Sequence, residues 1–144
     1  MIQQDTIKLL RECDAGIKMG VSSIEDVLDY VHNPLFCKHL AECKDQHNAL
    51  KKEIQLLLEN YHDEGKEPSP MAKGMSWIKT NVKLVMDESD QAIADLVTDG
   101  CNMGVKSLSN YLNQYKAADE RSKDIAKRLI RLEERLAIDI RQFL

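Results

Sequence analysis

Residues 33–64 read NPLFCKHLAECKDQHNALKKEIQLLLENYHDE, and this stretch decides the fold. Positions that recur at alternating steps of four and three residues lie on one face of a helix. Asn33 suits a helix cap and Pro34 suits the first helical turn, so the stretch predicts a long helix over 34–64. The seam that it would turn toward a core comprises Phe36, Leu40, Cys43, His47, Leu50, Ile54, Leu57 and Tyr61.

The segment before it shows a second stripe of apolar residues. Leu10, Ile17, Ile24 and Val31 recur every seven residues and predict a helix over 3–31. Gly20 and the following Ser-Ser-Ile-Glu also fit a helix stop with a new capping box. The stripe keeps its phase through the glycine, so a continuous helix is favoured.

Amphipathic patterns continue after a loop-like composition at 65–70. They predict a short helix over 70–85 and long helices over 88–115 and 119–143. Four long stripes that cannot bury themselves alone pack most simply as an all-α four-helix bundle, here a single domain over 1–144. The seam predicted for the last helix comprises Ile125, Leu129, Leu132, Leu136, Ile140 and Phe143.

Composition narrows the function classes. The 144 residues include 20 Lys plus Arg against 24 Asp plus Glu, a net charge of -4, so no cationic field is available for nucleic acid. Apolar runs fall short of the ~18–20 residues of a membrane span, and the N-terminus lacks a secretion signal. Four cysteines without a CxxC pair suit reduced thiols. We therefore expect a cytoplasmic protein with no membrane and no nucleic-acid partner.

Four strings occur in order along the chain: EGKEP at 64–68, MSWIK at 75–79, DGCNMG at 99–104 and NYLNQY at 110–115. With the order of helices, they resemble a family of uncharacterised bacterial proteins, a domain of unknown function within the ferritin-like superfamily. The resemblance implies a ferritin-like four-helix bundle with a short additional helix between the second and third long helices. It implies no established activity.

The wider superfamily includes di-iron oxidases, whose centre takes a Glu from each of two helices and a Glu-x-x-His motif from each of the others. Glu59 with His62, and more loosely Asp29 with His32, have this spacing. Both pairs fall at the ends of antiparallel helices, so they would lie far apart. The last helix has no histidine, and Glu133 is predicted beside its seam. A conventional di-iron centre is not expected.

The alternative to a di-iron centre is a smaller metal site at mid-bundle. Cys43 and His47 are four residues apart on one seam, so both side chains can reach the same interior space. Asp14 of the first helix and Cys101 of the third would complete three or four ligands for iron or zinc. The simpler interpretation is a buried histidine bonded to a carboxylate or a backbone carbonyl, beside a cysteine acting as a small apolar residue.

Two glycine pairs, Gly16 with Gly20 and Gly100 with Gly104, interrupt the helical stripes. A glycine inside a helix costs about 1 kcal/mol against alanine, so something should approach the backbone at these positions. Close helix packing, or room for a large side chain such as His47, is the favoured interpretation. The alternative is a pocket for a small ligand between helices. Alanine at Gly104 is expected to lower stability.

The leading functional hypothesis is a non-enzymatic interaction or structural protein without a cofactor. It would act as a homodimer and contact an unknown protein partner. The hypothesis depends on the missing di-iron ligands and on apolar positions beyond one stripe per helix. The alternative is a metal-binding or redox-active, stress-related bundle that uses Cys43, His47 and Asp14. The extra apolar positions are Leu9, Val105, Leu112, Ile130 and Ile138.

Overall fold

The computed structural model describes residues 2–66 and 89–144, and its regular structure in these ranges is entirely helical. The predicted helix over 70–85 lies outside the described residues. The all-α prediction is confirmed for the part of the chain described. The long helices are α1 (Ile2–Leu28), α2 (Pro34–Glu59), α3 (Asp90–Gln114) and α4 (Glu120–Asp139), followed by a 3-10 turn at Arg141–Phe143.

Contacts between helix ends fix the directions of the helices. The Asp90 carboxylate accepts hydrogen bonds from the backbone N–H groups of His32 and Asn33 at 2.8 Å, which puts the start of α3 beside the start of α2. At the opposite end, the Asp119 N–H donates to the Thr6 hydroxyl at 2.8 Å, so α4 starts beside the start of α1. Helices α1 and α4 therefore run one way, and α2 and α3 run the other way.

The pairs α1 with α2 and α3 with α4 pack most extensively, while α1 and α3 contact each other least among the helix pairs that pack closely. Among the described residues, a cavity lies between these two helices. None of the described helices combines the length and apolar character that a membrane-spanning helix needs.

The predicted start of α2 is confirmed, and the other three long helices start within two residues of the predicted positions. The Asn33 side chain accepts from the N–H groups of Leu35 and Phe36, and Pro34 opens α2, as predicted. Helix α1 is continuous through Gly20, which confirms the favoured interpretation.

Helix ends differ more from the prediction. Helix α1 ends at Leu28 rather than 31, since the N–H groups of His32 and Asn33 bond to Asp90 instead of helix carbonyls. Helix α2 ends at Glu59 rather than 64, where His62 turns the chain with a φ of 56°.

The core consists of two clusters of buried residues, one toward each end of the bundle. The Phe36 cluster is built around Phe36, Ile24, Leu136 and Ile140, and the ring of Phe143 stacks on Phe36 with centroids 4.7 Å apart. The Ile54 cluster holds the other end together, and its buried members are Leu9, Leu10, Cys13, Ile17, Leu50, Ile54, Leu58, Leu108, Ala118, Ile125, Ala126 and Leu129. A polar layer lies between the two clusters.

Candidate functional site

One residue from each long helix lies at the level between the two clusters. We call these four residues the central layer: Gly20, His47, Gly104 and Glu133. Each member falls between a residue of the Ile54 cluster and one of the Phe36 cluster on its own helix, as Gly20 does between Ile17 and Ile24. The two glycines make room for the two large polar side chains.

The space left by each glycine is specific. A Cβ on Gly20 would lie 3.2 Å from two atoms of the His47 ring, which is tighter than ordinary packing. A Cβ on Gly104 would lie 3.5 Å from the Glu133 carboxyl, an ordinary contact distance. Room for His47 is therefore confirmed as the role of Gly20. Close packing of backbones does not account for Gly104.

His47 is 1% exposed and both of its ring nitrogens are engaged. Nδ1 lies 2.7 Å from the Cys43 carbonyl oxygen, and Nε2 lies 2.7 Å from Glu133 Oε1. A carbonyl oxygen only accepts hydrogen bonds, so Nδ1 carries a proton. A second proton lies between Nε2 and the Glu133 carboxylate. The sequence predicted, as the simpler interpretation, a buried histidine bonded to a carboxylate or a backbone carbonyl. In the structure His47 is bonded to both.

The charge of His47 follows from its surroundings. Burial alone would lower the pKa of the imidazole, but the hydrogen bonds to Cys43 and Glu133, with the negative charge of Glu133, raise the pKa to about 10. At neutral pH the pair is an imidazolium and a carboxylate with no net charge. Because both His47 nitrogens act as donors, neither offers a lone pair to a metal or takes a proton from a thiol.

Burial raises the pKa of two of the buried thiols, Cys101 and Cys13. Cys43 Sγ lies 3.4 Å from His47 Nδ1, whose proton is already bonded to the carbonyl. Burial, followed by the charge of Glu133, raises the pKa of the Cys101 thiol well above its ordinary value. Burial, with Glu12 and Asp14 nearby, raises the pKa of Cys13 to about 12. Thiols of this kind are poor nucleophiles at neutral pH.

A cavity of about 380 Å³ lies against the central layer. Its walls come mainly from α1 and α3, the loosely packed pair, and His47, Leu129 and Glu133 form its floor. A Cβ on Gly16 would meet nothing within 4 Å, so this glycine faces open space rather than a close neighbour. Met19 and Met103, 37% and 54% exposed, lie at the edge of the cavity. Of the two interpretations of the glycine pairs, close packing and a ligand pocket, the pocket therefore fits Gly16 better.

Polar residues close one end of the cavity. The Lys66 ammonium forms an ion pair with the Glu12 carboxylate, and the Tyr111 hydroxyl also lies near Glu12. The hydrogen bond to Glu12 raises the pKa of Lys66. Tyr111 stacks on Tyr115 with ring centroids 6.2 Å apart. Glu12, Lys66, His47 and Glu133 thus line the cavity as two neutralised pairs.

The four predicted metal ligands do not assemble into a metal site. His47 belongs to the central layer, and Cys43 and Cys101 lie beside it. Asp14 is fully buried, but it bonds to the Lys18 ammonium at 2.7 Å and to the Lys66 N–H at 3.1 Å. Within residues 2–66 and 89–144, no three His, Cys, Asp or Glu side chains are arranged to hold a metal ion.

The role of Glu133 differs from the one that the sequence predicts. The predicted seam of the last helix includes Leu132, whereas Leu132 is only partly buried and Glu133 points inward to His47. The positions 129, 133, 136 and 140 have steps of four, three and four, the same pattern that predicted the α2 seam. This spacing could have identified Glu133 as a seam residue. It did not, because an acidic side chain is not expected at a core position.

No protein-family model matches the chain, and no curated protein or solved structure matches it either.

Proposed function

We propose that this protein is a non-enzymatic helical bundle that binds a small ligand in the cavity between α1 and α3. The observation that carries the proposal is the contact between this cavity and the buried His47–Glu133 pair. A largely apolar cavity with a few convergent polar groups is the ordinary form of a small-molecule site. A catalytic role has less support, because burial raises the pKa of the Cys13 and Cys101 thiols and His47 donates from both nitrogens.

Energetic costs at the same place support the proposal. Glycines in the middle of helices cost about 1 kcal/mol each against alanine. A buried ion pair is often no more stable than apolar residues of similar volume. A bundle that only needed to fold would gain by filling the layer with apolar side chains. Departures of this kind from a uniform core are expected at functional sites.

Toluene, a small apolar probe, tests whether the cavity binds a ligand. We expect toluene to raise the unfolding temperature of the full chain, by about 2–4 °C for each 1 kcal/mol of stabilisation. Amide resonances of Gly100 and Gly104 should shift in the same titration. Gly16→Leu extends a side chain from the cavity lining and should weaken both effects. Gln55→Leu adds the same side chain at an exposed α2 position and should not. Unchanged resonances in saturating toluene would contradict the proposal.

Together with this function, we propose that the chain has a ferritin-like fold. Its support is the direction of the helices, since α1 and α4 run in one direction and α2 and α3 run in the other. Lys66 and Ser89 lie near opposite ends of the bundle, because Lys66 contacts Glu12 while Ser89 caps α3 beside Asn33. One long connection between opposite ends is the arrangement of ferritin-like bundles.

The homodimer and the cytoplasmic location stay predictions. The apolar positions that suggested a dimer are partly used inside the bundle, since Leu9 is fully buried and Leu112 and Ile130 pack against the Ile54 cluster. Ile138 stays half exposed on α4. Light scattering at micromolar concentration tests the dimer, and a monomeric mass would exclude it.

A metal-binding or redox-active function has weaker support than ligand binding. It would require His47 to break one of its hydrogen bonds before it could bind a metal. Elemental analysis of purified protein tests this alternative, and stoichiometric iron or zinc that is lost in His47→Ala would favour it.

A further inference from the structure

We infer that the ligand of this cavity is an uncharged, mainly apolar molecule carrying one hydroxyl or N–H group that donates a hydrogen bond to Glu133. The inference rests on the proposed binding function and names the class of ligand.

The balance of charge in the cavity favours an uncharged ligand. The charged side chains among its lining residues are Glu12, Lys66, His47 and Glu133. They form two pairs of opposite charge, one at the end of the cavity and one at its floor. A charged ligand would bring a charge with no counter-charge into a partly dehydrated space, which is costly.

Hydrogen bonding at the floor favours a donor rather than an acceptor. Both N–H groups of His47 are already bonded, to the Cys43 carbonyl and to Glu133 Oε1. A carboxylate has about four acceptor positions, and it donates nothing when ionised. Glu133 Oε2 lies beside Gly104, which has no side chain of its own, and the Cys101 thiol takes at most one of the remaining acceptor positions of the carboxylate. A ligand hydroxyl or N–H can therefore bond to Glu133, whereas a ketone or ether oxygen would face another acceptor.

Size and wall chemistry favour a compact ligand. A volume of about 380 Å³ is near the lower end of the ~300–1,000 Å³ range of small-molecule sites. Val97, Leu108 and Leu129 contribute apolar walls, and Met19 and Met103 flank the edge. Methionine side chains are unbranched and adapt to the shape of an apolar partner. A single substituted ring is a suitable probe of this space.

Binding of three compounds at pH 7 tests the ligand class separately from the binding function: toluene, 4-methylphenol and 4-methylanisole. They share a ring and a methyl group, and they differ in having no polar group, a donor hydroxyl, or an acceptor-only oxygen. We expect 4-methylphenol to bind about tenfold or more tightly than either of the others, which is the usual gain from a hydrogen bond to a charged group. The anion 4-methylbenzoate and the cation 4-methylbenzylammonium should bind more weakly than 4-methylphenol.

Variants assign the donor contact to Glu133. Gly104→Ala places a methyl group 3.5 Å from Glu133 Oε2 and should remove most of the advantage of 4-methylphenol over toluene. Glu133→Gln should reduce the same ratio, and Glu134→Gln, at the exposed neighbouring position, should leave it unchanged. Ser107→Ala removes another hydroxyl of the lining and should also leave it unchanged.

The outcomes distinguish the two proposals. Equal affinities for toluene and 4-methylphenol would overturn the inference about the ligand class while leaving the binding function supported. An advantage lost in Ser107→Ala but kept in Gly104→Ala and Glu133→Gln would overturn the assignment to Glu133. Failure of all five probes to bind would overturn the binding function itself.

Discussion

His47 Nε2 lies 2.7 Å from Glu133 Oε1 inside the bundle, although the two residues are 86 positions apart in the chain. The contact joins α2 to α4 at the level where the apolar core is interrupted. Each group has lost most of its contact with water, so each depends on the other for its charge to be tolerated. Removing one partner should therefore cost more than removing both.

Glu133→Ala tests this dependence. We expect the free energy of unfolding to fall by about 3–5 kcal/mol, because His47 then keeps its burial and loses its counter-charge. Urea unfolding at pH 7 measures the change. Glu134→Ala is the matched control, since the neighbouring carboxylate is exposed, and its effect should stay within about 0.5 kcal/mol.

The double variant His47→Leu with Glu133→Leu separates pairing from packing. Apolar residues of similar volume often replace a buried ion pair without loss, so the double variant should recover most of the stability lost in Glu133→Ala. Equal effects of Glu133→Ala and Glu134→Ala would contradict the role given to the pair.

The pH dependence of stability follows from the pKa of His47. The folded protein raises this pKa to about 10, from 6.5 for an ordinary histidine. Because the folded value is the higher one, the contribution is fully present below pH 6.5 and is lost as the pH rises toward 10. Between pH 6.5 and 8.5 we expect the free energy of unfolding to fall by up to about 1.4 kcal/mol per pH unit. Urea unfolding at three pH values measures the slope.

His47→Gln is the reference for that slope. The variant keeps the other three histidines, His32, His39 and His62, so whatever they contribute is common to both proteins. Its stability should change less with pH over the same range, which ends below the ordinary cysteine pKa of 9.0. Parallel curves for the two proteins would show that His47 does not carry the proton.

Local chemistry accounts for the parts of the fold that the sequence predicted. The Asn33–Pro34 start of α2 needs only neighbouring residues, and the stripe through Gly20 repeats without a break, so both were predictable. The end of α1 depends on Asp90, which is distant in the chain and takes the N–H groups of His32 and Asn33. No local pattern contains that contact.

The candidate site divides in the same way. Seam spacing correctly brought Cys43 and His47 to one interior position. The choice between Leu132 and Glu133 depends on the rotation of α4 about its axis, which is set by packing against α1, α2 and α3. The cavity depends on how far α1 and α3 stand apart. Spacing along one chain predicts which positions share a face, and only tertiary packing decides what each face meets.

The two glycines of the central layer should respond differently to the same substitution. Gly104→Ala places its methyl group at an ordinary 3.5 Å from Glu133, so the gain in helix propensity should raise stability by about 1 kcal/mol. Gly20→Ala places its methyl group 3.2 Å from a His47 ring that two hydrogen bonds hold in place. Overpacking of this kind costs about 1–3 kcal/mol and should cancel or exceed the same gain.

Urea unfolding of both alanine variants measures this difference. We expect Gly104→Ala to be the more stable by about 1–3 kcal/mol, which would overturn the sequence-based expectation that alanine at Gly104 lowers stability. Equal stability of the two variants would contradict the described contact between Gly20 and His47.

Asp14 should anchor the chain that follows α2. Its buried carboxylate accepts from the Lys18 ammonium at 2.7 Å and from the Lys66 N–H at 3.1 Å. Asp14→Ala removes both charge-assisted hydrogen bonds and should lower the free energy of unfolding by about 1.5–3 kcal/mol. Hydrogen exchange of the Lys66 amide should accelerate in the same variant. Glu42→Ala removes an exposed partner of Lys38 and should cost about 0.5 kcal/mol or less. If the Lys66 amide exchanged at the same rate in both variants, its bond to Asp14 would not be the one that holds this segment against α1.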